Sequence, residues 1–188
     1  MSNVLSRNSQ VNELQPSEAR LSVIILDYTK DMEPFAEEAY NTLLTALLDN
    51  RHNNQKVALS IYQGDYLELY HEDHLRLKMI DSMPVFGKYG GASRAITQVL
   101  ESVFRRYTIE REPLIADVLY IGSGNNTDED QDWIRRRDRA IRQALRWGWT
   151  FDVIHFGDEE QDLCEQIGFS ATHDSQVSPS KTKTSLVA

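Results

Sequence analysis

Cysteine is almost missing: Cys164 is the only one in 188 residues. An internal disulfide framework and a multi-cysteine zinc site are therefore excluded. No run of about 18 apolar residues occurs, so no transmembrane helix is expected. Residues 1–20 lack the apolar stretch of a secretory signal. Together these absences predict a soluble, reduced, cytoplasmic protein. Positive charge is also scarce, with 20 Lys and Arg against 29 Asp and Glu, a formal charge of -9. A whole-chain electrostatic grip on nucleic acid or an anionic membrane is disfavoured, and neither is expected as a partner. A phosphate-cradling glycine loop is missing too. Gly122-Ser123-Gly124 has neither the lysine of GxxxxGK(S/T) nor the full dinucleotide pattern.

What the chain does contain suits one core, since 40% of its residues are apolar. Residues 1–20 are polar without periodicity and read as a disordered arm. Residues 170–188, rich in Ser, Thr and Lys, read as a disordered tail. The packed domain is then 21–169. Residues 21–26 (LSVIIL) are almost continuously apolar and β-branched, the pattern of a strand buried on both faces. Met32, Phe35, Ala36, Ala39, Leu43, Ala46 and Leu47 follow at helical spacing. Residues 57–62 and 66–70 are strand-like and separated only by Gln63-Gly64-Asp65, which predicts an antiparallel hairpin. Ala92, Ile96, Val99, Leu100 and Val103 mark a second helix. Residues 118–121 form a further buried strand, 130–147 a helix stopped by Gly148, 151–156 another strand, and 159–167 a last short helix stopped by Gly168.

This alternation predicts a three-layer α/β/α sandwich, with a mostly parallel sheet and one antiparallel edge strand. In such sheets the functional crevice lies at the carboxyl ends of the strands. Here those ends carry Asp27, Thr29 and Asp31, then Gly90, Gly91 and Ser93, then Ser123 and Asp128. Asp27, Thr29 and Asp31 alternate on a tight strand-to-helix loop, where oxygen side chains can converge on a hard cation. The plainer role for Asp31 is a helix cap or a first-turn acid that complements the dipole.

The order of these segments resembles the von Willebrand factor A-type domain, in its bacterial intracellular form, over residues 21–169. The pieces that carry the resemblance are Asp27-Tyr28-Thr29-Lys30-Asp31-Met32, Gly90-Gly91-Ala92, and Gly122-Ser123-Gly124 with Thr127-Asp128 and Trp133. The resemblance implies a metal-ion-dependent adhesion site, with Mg²⁺ held by DxSxS, the Thr of GGT and the Asp of TDG. Asp27 and Thr29 match the first two ligands. Asp31 replaces a serine, Ala92 replaces the GGT threonine and Ser123 replaces the TDG aspartate. The implied site, Asp27, Thr29, Asp31 and Ser123, is therefore degenerate. No cofactor is expected, and Mg²⁺ is the ion it would take if it takes one. The function this implies is a non-catalytic module that binds a protein partner at the crevice, through Asp27, Thr29, Asp31, Gly90, Gly91, Ser93, Ser123 and Asp128, with no catalytic residues.

A second α/β family offers an enzyme alternative. Haloacid-dehalogenase-like phosphotransferases place hhhhDx(D/T)x after the first strand, a Ser or Thr after a second, and a GDxxxD motif. Asp27, Thr29, Ser123 and the run Gly157 to Asp162 resemble these as nucleophile, phosphate-binding hydroxyl and Mg²⁺ carboxylates. The chain has no lysine between Ser123 and Asp158, where that family stabilises phosphate, and Thr29 replaces its acid/base aspartate.

The remaining features have plain structural readings. Arg135, Arg139, Arg142 and Arg146 share one face of the 130–147 helix, with Arg136 and Arg137 beside them. Six arginines against Asp130, Asp132 and Asp138 make this helix positive in an acidic chain. It reads as a solvated face or as a dock for an acidic partner. His71 and His74 read as a polar loop, His155 as a structural histidine and Cys164 as a small apolar group. Trp133, Trp147 and Trp149 read as packing residues.

Overall fold

The computed structural model describes residues 20–52, 56–63, 67–70, 87, 91–110, 115–124, 130–157 and 168–169. Five strands form one sheet: β1 (Arg20–Asp27), β2 (Lys56–Tyr62), β3 (Leu67–Tyr70), β4 (Ile115–Gly122) and β5 (Thr150–His155). Their order is β3-β2-β1-β4-β5. β1 runs parallel to β2 and β4, and β4 runs parallel to β5. β3 lies antiparallel to β2 at the edge, with Ser60 opposite Leu69. The expected mostly parallel sheet with one antiparallel edge strand is thus what forms.

β1 sits at the centre, and every residue from 21 to 27 is buried. This explains the unbroken apolar run, because both faces of the strand meet helices. Leu21, Val23 and Ile25 point into one core with α2 (Ala92–Glu110) and α3 (Gln131–Arg146). Ile24 and Leu26 point into a second core with α1 (Ala36–His52). The sheet separates the two cores, which makes three layers. Each fully buried Val, Leu or Ile contributes about 1.5–3 kcal/mol, so β1 is the main apolar investment of the fold.

Two boundaries differ from expectation. The helix after β1 does not begin smoothly at Met32. A 3-10 helix spans Lys30–Phe35, and α1 starts only at Ala36. Pro34 lies inside that segment and, having no N–H, donates no backbone hydrogen bond there. The amide of Met32 donates to the Thr29 carbonyl at 3.0 Å in this turn. The assignment of residue 20 to the arm also needs correction, because Arg20 opens β1. Its guanidinium grips Asp117 on β4 with two hydrogen bonds of 2.8 and 2.5 Å.

The end of α3 matches expectation. Asp130 caps its start by accepting from the Asp132 amide at 3.0 Å. At the other end the amides of Gly148 and Trp149 donate to the carbonyls of Leu145 and Ala144, a Schellman closure with Gly148 at φ 79°. Phe169 is buried against Phe151, with ring centroids 4.8 Å apart. Residues 1–19, the 159–167 helix and 170–188 lie outside the described residues, as do His71, His74 and Cys164.

Candidate functional site

Three parallel strands deliver their carboxyl ends to one place. Asp27 ends β1, Tyr62 ends β2 and Gly122 ends β4. Asp27 is 3% exposed, an uncommon position for a carboxylate. Its oxygens are satisfied from within the chain. Oδ1 accepts from the Thr29 amide at 3.0 Å. Oδ2 accepts from the Tyr120 hydroxyl at 3.0 Å, from the Ser123 hydroxyl at 3.1 Å and from the Ser123 amide at 3.4 Å.

Burial pushes the Asp27 carboxyl above its ordinary range. The Thr29, Tyr120 and Ser123 groups pull in the opposite direction without cancelling it. All of these donors are neutral, so among the described residues no formal positive charge compensates the carboxylate. The Thr29 hydroxyl lies near enough to join the downward pull, yet it makes no hydrogen bond of good geometry and is itself buried.

Two glycines make this closeness sterically feasible. A Cβ on Gly122 would sit 2.4 Å from Asp27 Cβ and 2.8 Å from the Tyr120 hydroxyl. A Cβ on Gly91 would sit 1.9 Å from the Tyr62 hydroxyl, and Gly91 holds φ at 98°, where side chains are strained. The Gly87 amide donates to the Tyr28 carbonyl at 3.1 Å, and the Tyr28 amide donates to the Tyr62 carbonyl at 2.7 Å. The chain thus extends the β1–β2 pairing past the sheet and lays Gly87 across it.

The structure brings Asp27, Thr29 and Ser123 together. Asp31 is a half-buried acid in the first turn of the 3-10 helix, the plainer of its two expected roles. Ala92 is buried at the GGT position and offers no ligand atom. Ser93 is fully buried, and its hydroxyl accepts from Arg137 Nη1 at 2.8 Å. Gly90, Asp128 and residues 158–162 lie outside the described residues. No group of three or more His, Cys, Asp or Glu suited to a metal occurs among the described residues.

Sequence reasoning missed Tyr120 and Arg137. Tyr120 is fully buried inside an apolar strand, and a buried tyrosine needs a partner for its hydroxyl. That was the available signal. Arg137 is 5% exposed and does not belong to a solvated face. Besides Ser93, it bonds Asp138 Oδ1 through Nε at 3.0 Å and Nη2 at 2.7 Å. It ties α3 to the first turn of α2, directly behind Gly91. Arg136 pairs with Glu101 at 2.7 Å and lies 4.4 Å over the Trp133 ring.

No protein-family model and no curated protein matches the chain. Solved structures do. The VWA domain of SpRpn10 is similar with a TM-score of 0.53 and 14% identity, over 81% of this chain and 82% of that one. Proximal thread matrix protein 1 from the mussel byssus is similar with a TM-score of 0.59 and 13% identity, over 80% of this chain. This chain matches only 40% of that protein's length. The architecture is therefore a parallel-dominated α/β/α sandwich. More narrowly, it is a von Willebrand factor A-type fold.

Proposed function

We propose that the chain is a non-catalytic, metal-independent module that binds a protein partner at the carboxyl ends of its strands. The observation that carries this reading is the donor set around Asp27. Three donors converge on Oδ2 and the Thr29 amide on Oδ1, so the carboxylate is held by hydrogen bonds from within the chain, whereas Mg²⁺ demands several oxygen ligands in near-octahedral geometry. Ala92 and Ser123 remove two further expected ligands. The residues present do not fit the ion that such folds can hold. Burial argues against Asp27 as a phosphotransferase nucleophile, since its side chain is 3% exposed and a nucleophile must face substrate.

The partner surface in this reading is the rim over the cluster, Asp31 and Ser123, with buried Gly91 beneath it and Gly90 and Asp128 beyond the described residues. Asp27 and Thr29 shape the floor. Ser93 supports the wall through Arg137. The setting is a reducing, cytoplasmic one. Among the described residues, no helix is long and apolar enough to cross a membrane.

Affinity capture from cell extract tests the reading, with wild-type and Asp31→Lys protein immobilised in parallel, each with and without EDTA. A partner retained in EDTA and lost from Asp31→Lys supports it. A partner released by EDTA sinks the metal-independent part. Mg²⁺-dependent hydrolysis of p-nitrophenyl phosphate, abolished by Asp27→Asn, replaces the reading with the enzyme alternative.

A further inference from the structure

A second surface lies on α3, on the side away from the sheet. Arg139, Arg142 and Arg146 are exposed and spaced three and four residues apart, so they form one ridge. Among the described residues no hydrogen bond, ion pair or ring contact engages any of the three. The other arginines of the helix are occupied. Arg135 pairs with Asp132, Arg136 with Glu101 and Arg137 with Asp138. Like charges at these spacings oppose the helix by a few tenths of a kcal/mol per pair. A chain with 29 acidic residues relieves none of this among the described residues.

Beside the ridge, Trp147 is 44% exposed, one of two exposed large apolar side chains among the described residues. It is no simple packing residue. Its ring leans edge-on against Phe104, with centroids 4.9 Å apart, and lies 6.3 Å from the buried Trp149. The ring is therefore packed against Phe104 and Trp149 while close to half of the residue stays exposed. Arg and Trp are the residue types that dominate binding energy at interfaces.

We propose that Arg139, Arg142, Arg146 and Trp147 form a second docking surface, separate from the strand-end crevice, for an acidic, partly apolar segment of another protein. Charge complementarity selects this occupant. Residues 1–19 and 170–188 are not acidic enough to fill it, carrying Glu13 and Glu18 against Arg7 and Asp174 against Lys181 and Lys183. Two copies at -9 each repel as wholes, and a nucleic acid meets the same repulsion. Arginine suits a carboxylate partner because its fork takes both oxygens.

Fluorescence anisotropy of the full chain tests this, with a labelled peptide of four Glu-Leu repeats as probe. Saturable binding with Kd below about 1 mM is expected. Arg139→Glu with Arg142→Glu should weaken it about tenfold or more, and Trp147→Ser about threefold. Asp31→Lys at the crevice should leave it unchanged, which separates this surface from the first. Circular dichroism confirms that each variant is folded. The proposal is overturned by an affinity that the double reversal leaves intact, by no saturable binding below that limit, or by equal binding of a Lys-Leu peptide or a ten-nucleotide RNA. A self-association in sedimentation that the double reversal abolishes would assign the ridge to a second copy instead.

Discussion

Asp27 and Asp117 sit at opposite ends of neighbouring parallel strands and solve the same problem in opposite ways. Asp27, at the exit of β1, is buried and served only by neutral donors, and burial drives its carboxyl upward. Asp117, near the entry of β4, is also pushed up by partial burial. There the two hydrogen bonds and the charge of Arg20, with the Thr150 hydroxyl at 2.5 Å, outweigh burial and hold it below its ordinary range. Its side chain remains 35% exposed. One carboxylate is thus caged and the other is clamped. The cage sits where strand ends converge, and the clamp sits where the sheet meets solvent. A carboxylate met by no counter-charge among the described residues is the more unusual of the two, and it lies at the strand ends where such sheets place their crevice.

The comparison can be broken most severely at Gly122. Gly122→Val drives a side chain into Asp27 and Tyr120, and urea denaturation should show about 3 kcal/mol of lost stability. A loss under about 1 kcal/mol would mean that the cage is loosely packed. Tyr120→Phe sharpens the contrast. It removes a donor to a carboxylate, which should cost about 2 kcal/mol near neutral pH. Because the Asp27 pKa is raised in the folded state, its contribution to stability is fullest below the ordinary carboxylate range and is lost as pH rises through the folded value. The Tyr120→Phe penalty should therefore shrink on acidification, as Asp27 takes up a proton. An equal penalty at mildly acidic and neutral pH would sink the cage.

The smallest effect belongs to the clamp. Asp117→Asn should lose less than about 1 kcal/mol at neutral pH, and less again in high salt, because both partners are partly exposed. The pH sign is opposite here. A depressed folded pKa gives stability above the ordinary carboxylate range that disappears as pH falls through the folded value. The Asp117→Asn and Tyr120→Phe penalties should therefore both shrink on acidification, the first because the clamp's contribution is lost and the second because the caged carboxyl takes up a proton.

The frame was legible in the sequence where local pattern decides it. β1 announces itself by five apolar residues among the six positions 21–26, the β2–β3 hairpin by its short polar break, and the end of α3 by Gly148. Asp27 was legible as a strand-end acid. Its cage was not, because Tyr120 is 93 residues away and reaches it only through the register that places Tyr120 beside Ile25. Arg137 was hidden for a similar reason. Helical spacing separates faces but does not reveal that a neighbouring helix covers one arginine while its sequence neighbours stay in solvent. The 3-10 segment was passed over because apolar periodicity does not tell its tighter turn from an α-helix.

The central place of β1 also shapes how the chain must be made. β1 leaves the ribosome long before β4, the strand that closes its other edge and carries Tyr120 some 93 residues later. At ordinary elongation rates that interval lasts roughly 5–20 s. Throughout it, one hydrogen-bonding edge of the most apolar strand stays open, the kind of edge that recruits other nascent chains. Slow elongation before β4 should therefore favour aggregates over soluble product, and Asp27 remains an ordinary solvated carboxylate until the strand that cages it has been synthesised.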